Sequence, residues 1–162
     1  MTKIIRPLLF SAALTLFFNI CALAQTKSPL KINAIHAQLF YDLKGTFSPD
    51  VLAAKNFAFW NTIIGEGDAS SPSTSTLVTV EIGGADKNGN LPKVELTATN
   101  DKGKVLLKKT LDIDLVGRTK FYAPFWLYNT GCEKIKLSAR LFVKNVAAGA
   151  PVVKTIPFAC GE

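Results

Sequence analysis

The sequence has few of the side chains that catalysis needs. Its 162 residues include one histidine, His36, and twelve acidic side chains, and no Gly-x-Ser-x-Gly nucleophile elbow occurs. A nucleophile must have a base beside it. Asp42 is six residues from His36 along one predicted strand, about 20 Å away, so the two cannot touch. The composition therefore predicts a protein that is not an enzyme and that uses no cofactor.

Arginine is also scarce, with three residues against sixteen lysines. Nucleic-acid-binding surfaces usually show clustered arginines interleaved with aromatic side chains, and these lysines are scattered. Lys102, Lys104 and Lys108 share one face of a predicted strand, with Lys93 on its partner strand. Such a basic stripe keeps the protein soluble and prevents an edge strand from pairing with another chain, or it attracts anionic envelope or matrix polymers. Nucleic acid is not a predicted partner.

The N-terminus has the three parts of a secretory signal peptide. Lys3 and Arg6 precede an apolar run from Leu8 to Cys21, and Ala22-Leu23-Ala24 gives the small-x-small cleavage pattern. The run has roughly 14 residues, short of the ~20 that span a bilayer, which disfavours an uncleaved anchor. Ile20 before Cys21 disfavours a lipoprotein, because a small residue normally precedes a lipidated cysteine.

We therefore predict a cleaved signal peptide at residues 1–24 and a single domain at residues 25–162. The mature chain would be exported to the periplasm or the extracellular medium, with no transmembrane anchor. Without Lys3 and Arg6, seventeen of the nineteen basic side chains remain against twelve acidic ones, a charge of +5 where the whole chain has +7.

The three cysteines become an even pair once Cys21 leaves with the signal peptide. Cys132 and Cys160 then predict a disulfide, since paired cysteines in an exported chain usually form one. Two cysteines and the single His36 do not make a four-ligand zinc site. The pair also lacks the Cys-x-x-Cys spacing of a redox-active dithiol.

Beyond Gln25 the apolar residues recur with a period of two, which is typical of half-buried strands. Turn-forming residues such as Asn100-Asp101-Lys102-Gly103 separate the runs. This pattern predicts an all-β, immunoglobulin-like antiparallel β-sandwich of seven to nine strands with one disulfide. The predicted strands lie at residues 35–44, 77–82, 93–99, 105–115 with a break near Asp112, 120–128, 135–143 and 152–158.

The disulfide fits the last predicted hairpin. Strands at 134–144 and 152–158 would turn within 145–150, and the midpoint between the two cysteines is residue 146. Cys132 and Cys160 would then face each other across the open end of the hairpin. Closing a loop of about 27 residues stabilises a fold by roughly 3.5 kcal/mol in the chain-entropy description.

The strand at 120–128 carries the clearest functional signal. Phe121, Ala123, Phe125 and Leu127 form one face, which we predict to be core. Tyr122, Trp126 and Tyr128 share the other face, and Pro124 indicates an edge or a bulge. If that face is exposed to solvent, we expect it to bind a partner protein or a glycan, together with Trp60. In the alternative, loops containing Phe57, Phe59 and Trp60 cover it.

Acidic residues offer a second hypothesis. Glu66 and Asp68 are the candidates for a cation, but Ca²⁺ needs six or more oxygens, so Asp50 or Asp86 would have to join them. With His36 they would make a small extracytoplasmic hydrolase or metal-dependent enzyme. A third alternative is an inhibitor of an exported enzyme, presented on an exposed loop at Asp68–Ser75.

Overall fold

The computed structural model describes residues 30–84, 91–115 and 117–160. The predicted signal peptide and Asp86 lie outside these residues. The described chain forms nine strands and no helix: β1 Lys31–Tyr41, β2 Thr46–Phe47, β3 Ser75–Gly83, β4 Lys93–Asn100, β5 Val105–Asp112, β6 Lys120–Tyr128, β7 Ile135–Val143, β8 Val146–Ala147 and β9 Val152–Ile156. In these ranges no helix is long and apolar enough to cross a membrane.

The strands form two sheets with only antiparallel pairs. One sheet has the order β2-β1-β3-β6, and the other has the order β5-β4-β7, with β8 and β9 both pairing with the far side of β7. The chain changes sheet between β3 and β4, between β5 and β6, and between β6 and β7. This is the Greek-key connectivity of an immunoglobulin-like sandwich, so the predicted fold class is confirmed.

The core lies between the sheets and is built by strict alternation. Val78, Val80 and Ile82 of β3 have no exposed surface, and the facing residues Val94 and Leu96 of β4 have none either. Their neighbours along each strand are half-buried, except Gly83 at the end of β3. β-branched side chains fit this arrangement because they pack well on a pleated surface. The predicted bounds of β6 and β7 are the observed ones, whereas β1 starts at Lys31, before a bulge at residues 32–34.

The last hairpin pairs β7 with β9 as predicted, but β8 at Val146–Ala147 takes up part of the predicted loop at residues 145–150. β7 and β9 pair from Ile135↔Ile156 to Ala139↔Val152, and the Cys132–Cys160 disulfide closes the end of this ladder. At the other end, Lys144 and Asn145 have φ of 52° and 62°. Two successive positive φ values are typical of a type I′ turn, whose twist matches the flanking strands.

The free edge of β1 is covered by the chain that follows it. β2 pairs with the end of β1, and residues 48–50 continue alongside. There the Ser48 Oγ accepts from the Leu39 N–H at 2.9 Å, and the Asp50 Oδ1 accepts from the Ala37 N–H at 3.0 Å. The Ser48 and Val51 N–H groups also donate to the Leu39 and Ala37 carbonyls. Side chain and backbone together replace the missing neighbour strand, which protects this edge from pairing with another chain.

The prediction of an exposed loop at Asp68–Ser75 is wrong for the central part of the segment. Ala69, Ser71 and Ser73 are buried. The Ser73 N–H donates to the Thr62 carbonyl at 3.0 Å, and the Ser73 Oγ donates to the Ser75 carbonyl. The segment is polar because its hydroxyls and backbone bond to each other, so it packs against the sandwich instead of projecting from it.

Candidate ligand-binding face

Strand β6 turns three aromatic side chains away from the core. Tyr122, Trp126 and Tyr128 are 52%, 37% and 67% exposed, while the residues between them include the buried Ala123. β6 is the last strand of its sheet. Pro124 suits this edge position, since proline has no N–H to donate to a ladder.

The predicted covering of this face by a loop does not occur. Phe57 packs on Phe59 with ring centroids 4.9 Å apart, and Phe59 packs edge-on against Phe158 at 5.4 Å. These contacts belong to the core, where Phe59 and Phe158 are buried. The outward side of β6 therefore keeps its exposed rings.

Two further rings join Trp126 and Tyr128, and we call these four residues the aromatic face: Phe40, Phe47, Trp126 and Tyr128. The Phe40 ring stands edge-on to Trp126 at 5.7 Å, and Phe47 lies 6.0 Å from Trp126 and 5.2 Å from Phe40. The planes of the Trp126 and Tyr128 rings are 13° from parallel, and their centroids are 6.4 Å apart. Packing of this kind orients the rings, and it leaves Trp126 and Tyr128 exposed in nearly parallel planes, an arrangement that we call the two-ring platform.

Trp60 is not brought to the aromatic face. It is 59% exposed and bridges to Ala159, next to the disulfide. Within the described ranges, its ring forms no ring–ring pair with Tyr122, Trp126 or Tyr128. Tyr122 lies on the same sheet surface as Trp126 and faces His36, with ring centroids 6.5 Å apart.

A groove starts between the edge strands β5 and β6 and continues past their ends, along the β4–β5 turn and the β6–β7 loop. One part has a volume of about 410 Å³ and is lined by residues including Leu106, Lys109 and Trp126. The other has a volume of about 610 Å³ and is lined by residues including Lys102 and Lys104. Both parts share Leu106, Tyr128 and Asn129, so we treat them as one edge groove that begins at the aromatic face.

The residues of the alternative enzyme hypothesis, Glu66, Asp68 and His36, each have hydrogen-bond partners of their own. Glu66 accepts from the Asn61 Nδ2 at 2.8 Å, and Asp68 accepts from the Ala58 N–H at 2.7 Å. His36 instead bonds through Nδ1 to Asp50 at 2.7 Å. In the part of the chain that the structure describes, no three histidine, cysteine or acidic side chains form a metal-binding group.

The hydrogen-bonded pair of His36 and Asp50 has no nucleophile beside it. The His36 Nε2 has no hydrogen-bond partner among the described residues, and the Glu81 Oε2 lies 3.6 Å from it, too far for a hydrogen bond. A hydrolytic base would instead face a hydroxyl or thiol at this nitrogen. The geometry of His36 and Asp50 fits a structural role at the β1 edge.

Glu81 is the anchor of a polar network beside Tyr122. Hydrogen bonds from the Asn33 Nδ2 at 2.9 Å and the Lys120 Nζ at 3.0 Å lower the pKa of Glu81 from 4.5 to about 2. In turn, the hydrogen bond to Glu81 raises the pKa of Lys120. The network connects β1, β3 and β6, so it holds together the sheet on which the aromatic face lies.

Neither a family model nor a curated protein matches the sequence. Among solved structures, the chain is similar to a β-glucuronidase from glycoside hydrolase family 2, with 10% identity, a TM-score of 0.42 and coverage of 52% of this chain and 10% of that one. It is also similar to the Bifidobacterium dentium β-glucuronidase complexed with coumarin-3-O-glucuronide, with 13% identity, a TM-score of 0.43 and coverage of 81% and 18%. The chain thus spans less than a fifth of either structure, and the likeness says nothing about its activity.

Proposed function

We propose that this chain is an exported, non-enzymatic binding domain that holds its ligand against the aromatic face. The observation that carries the proposal is the nearly parallel pair of rings on an edge strand, Trp126 and Tyr128. Both rings are exposed among the residues that the structure describes. Large aromatic side chains are the residues that most often dominate binding energy, because they bury much area with little loss of conformational freedom.

Three features support binding in preference to catalysis. The aromatic face is a surface with fixed ring orientations, which lowers the entropy cost of binding a ligand. The acidic candidates Glu66 and Asp68 hold turns, and His36 faces no nucleophile. Export is supported by the Cys132–Cys160 disulfide, because disulfides persist in oxidising compartments.

The binding proposal is tested with a glycan array and two variants. Trp126→Ala with Tyr128→Ala removes the two-ring platform, and Trp60→Ala is the matched control, because it removes an exposed ring elsewhere. We expect the wild-type chain and the control to retain the same glycans, and the double variant to lose them by about tenfold or more. Equal binding by the double variant, or no glycan bound by the wild-type chain, would overturn glycan binding by this face.

The export proposal is tested on the protein recovered from the host that makes it. The intact mass in the exported fraction should correspond to a chain that begins at Gln25 and contains one disulfide. A full-length mass in the cytoplasmic fraction, with both thiols free, would contradict export.

A further inference from the structure

We propose that the ligand of the aromatic face is an anionic glycan, whose carboxylate or sulfate groups are bound by lysines of the edge groove. This inference rests on the proposed function, because it names the ligand class of the same face. Its elements are the Trp126–Tyr128 platform for the sugar rings, and Lys102, Lys104 and Lys109 for the charges.

The charge of the groove comes from lysines that have no acidic partner. In the described structure Lys102, Lys104 and Lys109 form no ion pair, although they line the groove. Glu133 is the one carboxylate among the lining residues, and its Oε2 accepts from the Asn100 Nδ2 at 2.6 Å. The lining residues therefore carry a net charge of +2, which favours an anionic ligand.

The basic stripe predicted from sequence is replaced by this groove. Lys93 lies 3.9 Å from Asp112, and Lys108 lies 3.6 Å from Glu95, so both are paired with acids. Lys109 has the inward parity of β5, since it aligns with the fully buried Leu96, yet it is exposed at the open side of the sandwich. A charged side chain that points inward on an edge strand discourages pairing with a strand of another chain. Here the Lys109 side chain also lines the same part of the groove as Trp126.

The shape of the face favours sugar rings over a peptide strand. The flat C–H side of a pyranose stacks on an aromatic ring while its hydroxyls stay in water, and the Trp126 and Tyr128 rings offer two such surfaces, 13° from parallel. A peptide that extended the sheet would need the edge of β6 to donate and accept regularly. Pro124 removes one N–H in the middle of that edge.

Nucleic acid also combines flat rings with negative charge, but the groove has no arginine among its lining residues. Arginine is the side chain that binds phosphate in a bidentate manner and stacks on bases. Lysine ammonium groups act as point charges, and they serve a carboxylate or a sulfate equally well. We therefore name the anionic glycan as the occupant, and oligonucleotide binding is one outcome of the test.

The experiment uses two matched pairs of polymers in calorimetry or affinity electrophoresis at about 150 mM salt, where distant charges are screened. Polygalacturonate is compared with its methyl-esterified form, and dextran sulfate with dextran, so that carboxylate and sulfate are distinguished. A polythymidine oligonucleotide is the third anionic probe. At least one charged glycan should bind about tenfold or more tightly than its neutral partner.

Two triple variants separate the groove from the general charge of the protein. Lys102→Ala, Lys104→Ala and Lys109→Ala together should weaken binding of the charged glycan by about tenfold. The control removes the same charge elsewhere, at three other exposed lysines: Lys31→Ala, Lys55→Ala and Lys136→Ala. It should stay within about twofold of the wild-type affinity. Thermal unfolding of each variant checks that the fold is retained.

Several results would overturn the inference: no affinity for either charged glycan, tighter binding of the oligonucleotide, or equal losses in the two triple variants. Equal binding of the charged and neutral forms would also overturn it, yet it would leave the proposed function intact if Trp126→Ala with Tyr128→Ala still abolished binding. If that double variant bound the charged glycan normally, the proposed function would fail as well.

Discussion

The guarded edge of β1 gives a stability prediction that follows from three hydrogen bonds to one carboxylate. Asp50 accepts from the Ala37 and Leu52 N–H groups through Oδ1, both at 3.0 Å, and from the His36 Nδ1 through Oδ2 at 2.7 Å. Asp50→Ala removes all three hydrogen bonds and leaves the Ala37 N–H without its acceptor, although the Val51 N–H still donates to the Ala37 carbonyl at 2.8 Å. We expect the free energy of unfolding to fall.

The size of the fall depends on which donors water can reach. The Ala37 side chain is fully buried, so we treat its N–H as a donor without water, which costs about 1–3 kcal/mol. Leu52 and His36 are half-buried, and water replaces part of their lost bonds. Together the expected loss is about 2–4 kcal/mol, which is large against the 5–15 kcal/mol typical of a domain.

The measurement is urea unfolding followed by tryptophan fluorescence near neutral pH, with Asp50→Asn and Asp42→Ala as companions. Asp50→Asn keeps an amide oxygen for the two N–H groups and should cost only about 1 kcal/mol. Asp42→Ala removes the same charge from an exposed turn and should change stability by less than about 0.5 kcal/mol. A loss below about 0.5 kcal/mol for Asp50→Ala, or equal losses for both Asp50 variants, would refute the reasoning.

Three further predictions concern acid sensitivity, the disulfide and the packed loop. Because the pKa of Glu81 is lowered from 4.5 to about 2, its carboxylate stabilises the fold above about pH 4.5, and that contribution is lost as the pH falls toward 2. Unfolding near pH 6 and pH 3 should therefore show less acid sensitivity in Glu81→Gln, and equal sensitivity would contradict the assignment. Replacing Cys132 and Cys160 by serine should lower stability by about 3.5 kcal/mol, as should reduction of the wild-type protein, whereas a change under about 1 kcal/mol would be inconsistent with the closed loop. Gly67→Ala should cost about 2 kcal/mol or more, because φ is +70° and the new Cβ would lie 2.6 Å from a backbone oxygen. Gly45→Ala, with φ of +63° and no atom within 4 Å, should cost only about 1 kcal/mol, and equal losses would show that the close approach is relieved.

The strand pattern was readable from the sequence because alternation is a local property. Tyr122, Trp126 and Tyr128 are separated by even numbers of residues, so one parity places all three on the same surface. The hairpin of β7 and β9 was readable for a similar reason, since a short connection and two cysteines fix its register. Local spacing determines both features.

The partners of the aromatic face were missed because they come from another part of the chain. Phe40 shares the parity of His36 on β1, which was the available signal for an outward ring. Phe47 reaches the face only because the turn at residues 42–45 folds β2 back onto β1. The bond of His36 to Asp50 depends on the same return, so the sequence spacing of the two residues does not reveal it.

The unequal edges of the β2-β1-β3-β6 sheet limit how copies of this protein can assemble. A filament that grows by strand addition needs two pairing edges on every subunit, one for each neighbour. Here Ser48 and Asp50 occupy one edge with side-chain acceptors, and β6 is the remaining one. Two copies that met through β6 would leave no further edge of this sheet. Any longer array would have to use the other sheet, at β5 or at β8 and β9, so this sheet by itself can join copies only in pairs.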